Sequence, residues 1–326
     1  MDKNSLIVVT GAAGMIGSGV VRCLNDRGYS NLLLIDDLKQ GDKWKNLVGK
    51  RFVDLVGRHK IHECLQQRGD EIKAIIHLGA CSDTVETDAD YLMENNFRYT
   101  VRLAEWALSR NVRFIYASSA ATYGDGARGF VDDEDAIEEL RPLNMYAFSK
   151  QLADLWMKRT GGLKRAVGLK YFNVFGPNEY HKGRMASMVL KMMKKAQVER
   201  VIQLFKSDDA RFEDGGQMRD FIYVKDAVRM TCDLIEPSGW HISGLYNIGR
   251  GQPTTWNALA GALFFSLGTE PCIRYIDMPK EMEGQYQNYT CADMNKFHKL
   301  FPPAQISIDR AVLEYVQDYL MKDARW

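Results

Sequence analysis

Residues 6–27, LIVVTGAAGMIGSGVVRCLNDR, decide the fold of this protein. The first five residues are apolar or β-branched and predict a buried strand, Leu6–Thr10. Glycines follow at positions 11, 14 and 17, and a helical pattern then runs through about Arg27. A strand, a glycine turn and a helix in this order are typical of the first unit of a nucleotide-binding α/β domain.

Each glycine of this turn has a separate physical role. Gly11 permits the tight turn after the strand, Gly14 lets the backbone approach a pyrophosphate, and Gly17 allows close packing between helix and strand. The amino terminus of the helix supplies N–H donors and a favourable dipole for phosphate groups. We therefore expect a dinucleotide to bind at this turn.

Further apolar runs at 31–36, 73–78, 112–118 and 166–172 alternate with helical patterns. Near-continuous apolar strands separated by helices indicate a parallel sheet that is covered on both faces. Right-handed crossovers then give an α/β fold with a doubly wound parallel sheet of the Rossmann type.

The rhythm changes after Gly176 and Pro177. A helix at 185–197 and a strand at 201–205 follow, and a strand–helix unit at 221–235 and a strand at 245–248 predict a return to the main sheet. We expect a dinucleotide-binding domain at 1–177 plus 218–250. A smaller, discontinuous α/β substrate domain would then comprise mainly 178–217 plus 251–326.

The composition is that of a globular protein without a polyanion partner. The 326 residues carry a net charge of +1, so we expect no nucleic acid to bind. The first apolar run is too short for a signal sequence or a membrane span, which predicts a cytoplasmic protein with no membrane partner. The six cysteines are scattered and form no metal-ligand spacing, so no metal site is expected.

Asp36 ends the second predicted strand, where a carboxylate can bind the hydroxyls of the adenosine ribose. Asp37 follows, and two acidic side chains would repel a 2′-phosphate and favour NAD. Lys39 and Lys43 lie close behind, with Arg58 further on, and these cations could neutralise such a phosphate. Charge alone therefore leaves NAD and NADP open.

Tyr146 and Lys150 stand four residues apart on a predicted helix, so both side chains lie on one face. A lysine ammonium near a phenol lowers the tyrosine pKa and suits it to act as a general base toward an alcohol. The fourth strand ends at Ser118 and Ser119, at the edge where ligands of open parallel sheets bind. Ser119 could hold the same alcohol, which indicates alcohol–ketone redox chemistry.

Together these motifs resemble the extended short-chain dehydrogenase/reductase superfamily: GAAGMIG at 11–17, SSAATYG at 118–124, YAFSK at 146–150 and KYFNVFGP at 170–177. A narrower resemblance is to the ADP-L-glycero-D-manno-heptose 6-epimerase family. It is carried by LGACSDT at 78–84, YHKGRMASM at 180–188, MRDFIYVKD at 218–226 and EGQYQ at 283–287.

The resemblance implies a tightly bound nicotinamide, with NADP favoured, and inversion of C6″ of an ADP-heptose used for the lipopolysaccharide core. It implies that Tyr146, Lys150 and Ser119 are catalytic and that Lys182 is a second acid/base. Substrate positions would be Asn173, Arg184, Lys191, Phe205, Arg219 and Tyr286. Cofactor positions would be Gly11, Gly14, Met15, Ile16, Gly17, Asp36, Asp37, Lys43, Arg58, Leu78, Gly79, Ala80, Cys81, Ser82, Asn95, Lys150 and Val174.

Several alternatives share these motifs. Another nucleotide-sugar epimerase or reductase, of the 4-epimerase type, would keep the glycine turn and the Tyr–Lys pair. A nonenzymatic dinucleotide sensor would keep the fold, but such proteins typically lose the Tyr or the Lys, and this chain has both Tyr146 and Lys150. Ala120, Ala121 and Thr122 offer no acid for a 4,6-dehydratase. The resemblance also implies a homo-oligomer, and the acidic segment 127–140 is expected to form a surface loop.

Overall fold

The computed structural model describes residues 1–279 and 287–326. Within these residues the main sheet has seven parallel strands in the order β11-β6-β5-β4-β1-β2-β3. The strands are β1 Leu6–Thr10, β2 Leu32–Ile35, β3 Asp54–Val56, β4 Ile72–His77, β5 Arg113–Ser119, β6 Ala166–Tyr171, β7 Asn173–Phe175, β8 Ile202–Phe205, β9 Met218–Arg219, β10 Phe221–Tyr223, β11 Gly244–Ile248, β12 Thr254–Thr255 and β13 Ile273–Ile276.

Helices cover the sheet and extend beyond it. They are α1 Met15–Asp26, α2 Ile61–Arg68, α3 Ala89–Leu92, α4 Tyr99–Ser109, α5 Met145–Arg159, α6 Met188–Glu199, α7 Val224–Asp233, α8 Trp256–Leu267, α9 Asn295–His298 and α10 Ile308–Glu314. A π-helical segment, Met93–Arg98, connects α3 to α4, and another, Tyr315–Leu320, follows α10.

The doubly wound parallel sheet expected from the sequence is confirmed. β1 pairs with β2 on one side and with β4 on the other, so the strand order reverses at β1. Successive β1 side chains enter opposite cores: Ile7 and Val9 belong to one apolar cluster, and Leu6 and Val8 to the other. The carboxyl ends of β1 and β4 therefore flank the crevice where ligands of such sheets bind.

Two features of the sheet differ from the prediction. The strand β3 was not expected, because its side chains are exposed or half-buried and give no apolar run. The expectation that 221–235 returns to the main sheet is wrong for its strand, since β10 pairs with β7 in a separate two-stranded sheet. Its helix, α7, packs against α1, and β11 does join the main sheet as expected.

The two-domain division stays a prediction. β8 pairs with β13 outside the main sheet, as a separate substrate region requires, but β9 pairs with β12 across the predicted boundary at 250. One apolar cluster nevertheless contains Val20 of α1, Met192 of α6 and Leu259 of α8. The two proposed regions therefore share a continuous core.

The acidic segment 127–140 lies mostly at the surface, as expected, but it is anchored to the sheet and is not a free loop. Phe130 and Ile137 are buried, and the segment runs along the outer edge of β11. The Asp132 carboxylate accepts from the backbone N–H of Asn247 at 2.9 Å, and the Glu134 carboxylate accepts from that of Leu245 at 2.9 Å. These carboxylates satisfy donors that an edge strand otherwise leaves open.

In the described part of the chain, no helix combines the length and apolar character that crossing a membrane requires. The cytoplasmic location stays a prediction.

A buried ion pair lies beneath the site described below. Lys170 of β6 donates to Asp154 of α5 at 2.8 Å, and both side chains are almost completely buried. Asp154 also accepts from Ser118 at 2.7 Å and from Tyr116 at 2.9 Å. This network ties α5 to β5 and β6, so it determines where α5 lies on the sheet.

We expect Asp154→Ala to lower the free energy of unfolding by about 3–5 kcal/mol, because it leaves the Lys170 ammonium buried without a counter-charge, with the Thr122 hydroxyl at 2.7 Å as its remaining hydrogen-bond acceptor. Urea denaturation followed by circular dichroism measures this loss. Asp135→Ala is the control: its carboxylate is fully exposed and 4.0 Å from Lys158, so the stability should hardly change. Equal stabilities of the two variants would contradict this role of Asp154.

Candidate active site

The glycine turn after β1 is a cradle that side chains would fill. Gly11 has φ +66°, and a Cβ on it would lie 2.7 Å from the backbone N of Gly79. A Cβ on Gly17 would lie 2.0 Å from the carbonyl oxygen of Gly11. α1 begins at Met15 after Gly14, so its free N–H groups point at the crevice. The turn therefore fits a pyrophosphate bound at a helix amino terminus.

A small pocket at the end of β2 is lined by side chains of opposite charge. The Asp36 carboxylate accepts from the backbone N–H of Ala13 at 2.8 Å and pairs with Lys43 at 2.5 Å. Asp37 pairs with Arg58 at 2.8 Å, and Arg58 also hydrogen-bonds to Asn95. This arrangement fits the ribose end of a dinucleotide.

A larger cleft, of about 630 Å³, continues from this pocket across the carboxyl edge of the sheet. Its walls come from the glycine turn, the turn after β4, the end of β5 and α5. The structure brings together there the predicted cofactor positions Gly11, Gly14, Met15, Ile16, Gly17, Asp36, Lys43, Leu78, Gly79, Ala80, Cys81, Ser82, Lys150 and Val174. Asp37, Arg58 and Asn95 line the small pocket.

Tyr146 and Lys150 lie on α5, which begins after Asn144, whose side chain accepts from the backbone N–H of Ala147 at 2.9 Å. Lys150 donates to the carbonyl oxygen of Ala117 on β5 at 2.8 Å, and burial lowers its pKa to about 8. The ammonium is thus held at the carboxyl end of β5, beside the serines of that strand.

The expected low pKa of Tyr146 is not found. Burial raises the pKa of its phenol, and a hydrogen bond with Ser119 acts in the opposite direction with a smaller effect. Desolvation of the phenolate outweighs the favourable contacts. In this arrangement the phenol of Tyr146 is therefore harder to deprotonate than that of an ordinary tyrosine.

A second cleft, of about 520 Å³, opens next to the first. Side chains from both the sheet and α5 form the junction between the two. The residues that line both clefts are Ser82, Ser119, Tyr146, Tyr171, Phe172, Val174, Lys182 and Met185. Three of the four predicted catalytic residues, Ser119, Tyr146 and Lys182, thus lie where the cofactor cleft meets the second cleft.

Lys182 lies in a short helical turn, Tyr180–Met185, with a kink at Gly183 where φ is +51°. The buried Glu179 anchors this turn: it accepts from the Ser187 hydroxyl at 2.6 Å and from the Tyr315 hydroxyl at 2.9 Å. Burial lowers the pKa of Lys182. The neutral amine, which can accept a proton, is therefore more accessible than for an ordinary lysine.

The predicted substrate positions are divided. Asn173 and Arg219 line the second cleft. Arg184 instead pairs with Asp83 at 2.5 Å and is largely exposed, while Lys191 lies on α6 and Phe205 ends β8. The structure does not bring these three to the described cleft walls, and Tyr286 lies outside the described residues.

Other side chains of the clefts were missed by the sequence analysis. Trp256 lines the second cleft, with its ring 5.1 Å from that of Phe221 and 5.9 Å from the Arg219 guanidinium. Tyr99 and His181 line the cofactor pockets. Trp256 and Tyr99 belong to none of the quoted motifs, so only the folded chain identifies them, whereas His181 lies in the motif at 180–188 and could have been found from its position beside Lys182.

A parallel sheet with a dinucleotide cradle and a Tyr–Lys pair at its carboxyl edge is typical of enzymes that use a nicotinamide dinucleotide. Comparison with known proteins agrees with this class. The model of the NAD dependent epimerase/dehydratase family matches residues 7–249. The chain belongs to this family and is therefore an enzyme that uses a nicotinamide cofactor.

Two curated relatives belong to a narrower family of epimerases. An ADP-L-glycero-D-manno-heptose-6-epimerase from Nitratidesulfovibrio vulgaris is 47% identical over 319 residues, covering 97% of this chain and 98% of the relative. One from Fusobacterium nucleatum is 41% identical, covering 98% of this chain and 99% of the relative. At this similarity over the full length, the chain belongs to the same family as these relatives.

Solved structures show the same fold. The ADP-L-glycero-D-manno-heptose-6-epimerase of Helicobacter pylori superposes with a TM-score of 0.80 at 26% identity, covering 97% of each chain. A UDP-N-acetylglucosamine 4-epimerase from Methanobrevibacter ruminantium superposes with a TM-score of 0.82 at 23% identity, covering 98% of this chain and 99% of the other. At 23% identity, the similarity to the 4-epimerase shows only that the two proteins share a fold.

We expect Gly17→Ala to abolish retention of the dinucleotide, because the added Cβ would lie 2.0 Å from the Gly11 carbonyl oxygen and force the turn open. Nucleotide released from the purified, denatured protein measures retention. Gly261→Ala in α8 is the matched control, since its Cβ would meet nothing within 4 Å. Retention by Gly17→Ala equal to that of this control would exclude the proposed role of the turn.

Proposed function

We propose that the protein interconverts ADP-D-glycero-D-manno-heptose and ADP-L-glycero-D-manno-heptose by inverting C6″. The observation that carries the proposal is the presence of Ser119, Tyr146 and Lys182 together at the junction of the two clefts. The names of the 41–47% identical relatives support the choice of sugar.

The residues present fit a nicotinamide dinucleotide. The glycine turn would hold the pyrophosphate, since Gly11 and Gly17 leave space that a Cβ would fill. The pocket at Asp36 would hold the adenosine, and the cleft at Lys150 and Tyr146 the nicotinamide. When bound, the cofactor supplies a reversible hydride acceptor, which an unactivated carbinol carbon needs to lose its configuration.

Two acid/base groups are needed because the C6″ oxygen lies on opposite sides in the two half-reactions. We assign Tyr146 and Lys182 to these sides and Ser119 to hydrogen-bonding the oxygen near Tyr146. Burial raises the pKa of Tyr146 and lowers that of Lys182, so the pair begins with complementary tendencies to give and to accept a proton.

Purified protein incubated with ADP-D-glycero-D-manno-heptose should equilibrate the C6″ configuration without added cofactor, as followed by NMR. Tyr146→Phe and Lys182→Ala should each lose most of the turnover, by about a hundredfold or more, because each removes one proton-transfer group.

Two exposed residues supply the controls: Tyr275→Phe and Lys194→Ala should keep the wild-type rate. No equilibration by the wild-type protein, even with added NAD or NADP, would overturn the reaction. Activity on a 4-epimerisable UDP-sugar instead would support the 4-epimerase alternative.

For the cofactor we propose NADP, with NAD as the alternative. The pocket around the ribose site is lined by three cationic side chains, Lys39, Lys43 and Arg58, and by two carboxylates, Asp36 and Asp37. The excess of positive charge favours a 2′-phosphate. The homo-oligomer likewise stays a prediction.

Mass spectrometry of the nucleotide that copurifies tests this proposal and should detect NADP. Lys39→Asn, which tolerates the φ of +51° at this residue, should weaken NADP binding about tenfold and leave NAD binding unchanged. Lys45→Asn, on the exposed side of the same segment, is the control. Copurified NAD, with equal effects of Lys39→Asn on both nucleotides, would reverse the assignment.

A further inference from the structure

Asn46 is a buried polar side chain to which neither the motifs nor the proposed mechanism assigns a role. It is 2% exposed and lies in the short helical turn Lys43–Leu47. Its Nδ2 donates to the carbonyl oxygen of Ala13 at 2.9 Å and to that of Asn178 at 3.0 Å. One amide thus bridges the glycine turn and the residue that begins the segment leading to Lys182.

A third contact reaches the neighbour of Lys182. Nδ2 of Asn46 lies 3.3 Å from Nδ1 of His181. Burial, together with the Lys43 and Lys182 ammonium groups, lowers the pKa of His181 to about 4. The imidazole is therefore neutral at pH 7 and lies against the amide without bringing a charge to it, while the two N–H groups of the amide serve the two carbonyl oxygens.

Asn178 extends this connection into α1. It is completely buried, and its Nδ2 donates to the Ser18 hydroxyl at 2.9 Å and to the carbonyl oxygen of Trp326 at 2.9 Å. Its φ of +72° turns the chain sharply at this point. The backbone before Lys182 is therefore fastened to the same helix and turn that form the floor of the cofactor cleft.

We propose that Asn46 is a positioning residue that holds the Lys182 turn in register with the glycine turn, so that Lys182 faces the atom being oxidised. This inference rests on the proposed function, because it assumes that Lys182 transfers a proton. Asn46 acts through Lys182 and does not touch the reacting atoms.

Asn46→Asp tests the proposal because it preserves the shape of the side chain and removes both N–H donors. The carbonyl oxygens of Ala13 and Asn178 then lose their donor, and the two turns can move relative to each other. A misplacement of about 1 Å at a reacting group can cost about a hundredfold in rate. We expect kcat to fall about tenfold to a hundredfold, with KM for the nucleotide sugar little changed.

The matched control is Asn25→Asp. Asn25 is 6% exposed, and its Nδ2 donates to the carbonyl oxygens of Tyr29 and Arg51, both at 2.9 Å. It connects loops that do not include the Lys182 turn. Both variants should lose similar stability on thermal melting, but Asn25→Asp should keep the wild-type kcat. Equal kcat values for the two variants would overturn the proposal.

A double-mutant cycle separates positioning from a general structural effect. The variant with both Asn46→Asp and Lys182→Ala should be hardly slower than Lys182→Ala alone, because the group that Asn46 positions is gone. Combined with Tyr146→Phe, the two losses should multiply. If Asn46→Asp slows Lys182→Ala by its full factor, Asn46 acts independently of Lys182 and the inference fails.

Two further measurements complete the test. If Asn46→Asp does not fold, Asn46→Ser, which keeps one hydroxyl donor, takes its place in the same cycle. If Lys182→Ala alone has the wild-type rate, the assignment of Lys182 in the proposed function is wrong, and the inference falls with it. Failure of the cycle with an impaired Lys182→Ala overturns the inference alone, so the two failures are distinguishable.

Discussion

The close approach between the glycine turn and the turn after β4 is the constraint on which the site depends. Gly11 passes so near to Gly79 that a Cβ on it would lie 2.7 Å from the Gly79 backbone nitrogen. Gly17 brings α1 equally close to the carbonyl oxygen of Gly11. This packing leaves a crevice at the reversal of strand order, where we propose that the phosphates, ribose and nicotinamide bind.

Buried polar groups connect this turn to the side chains that we propose are catalytic. The Lys170–Asp154 pair fixes α5, and with it Tyr146 and Lys150, onto the strands that carry the serines. Asn46 and Asn178 connect the glycine turn to the Lys182 segment. Because unsatisfied buried polar groups are costly, these connections allow few alternative arrangements.

Much of the fold was predictable because long buried strands carry a strong apolar signal. The ends of every predicted strand of the main sheet agree with the structure to within one residue. β3 and the pairing of β10 with β7 were not predictable, since short, partly exposed strands carry little pattern. The anchoring of segment 127–140 was not predictable, because acidic residues in sequence do not reveal that Asp132 and Glu134 accept from edge-strand N–H groups.

The sequence by itself determined the glycine turn, the Tyr146–Lys150 spacing and the family, because each depends on residues close together in the chain. Only the tertiary structure decided that Lys182 and Ser119 meet Tyr146 at the junction of two clefts, that Arg184 turns to Asp83, and that Trp256 enters the second cleft. Those arrangements join distant segments, and packing and desolvation set them. The same desolvation raised the pKa of Tyr146, which local spacing alone had predicted to fall.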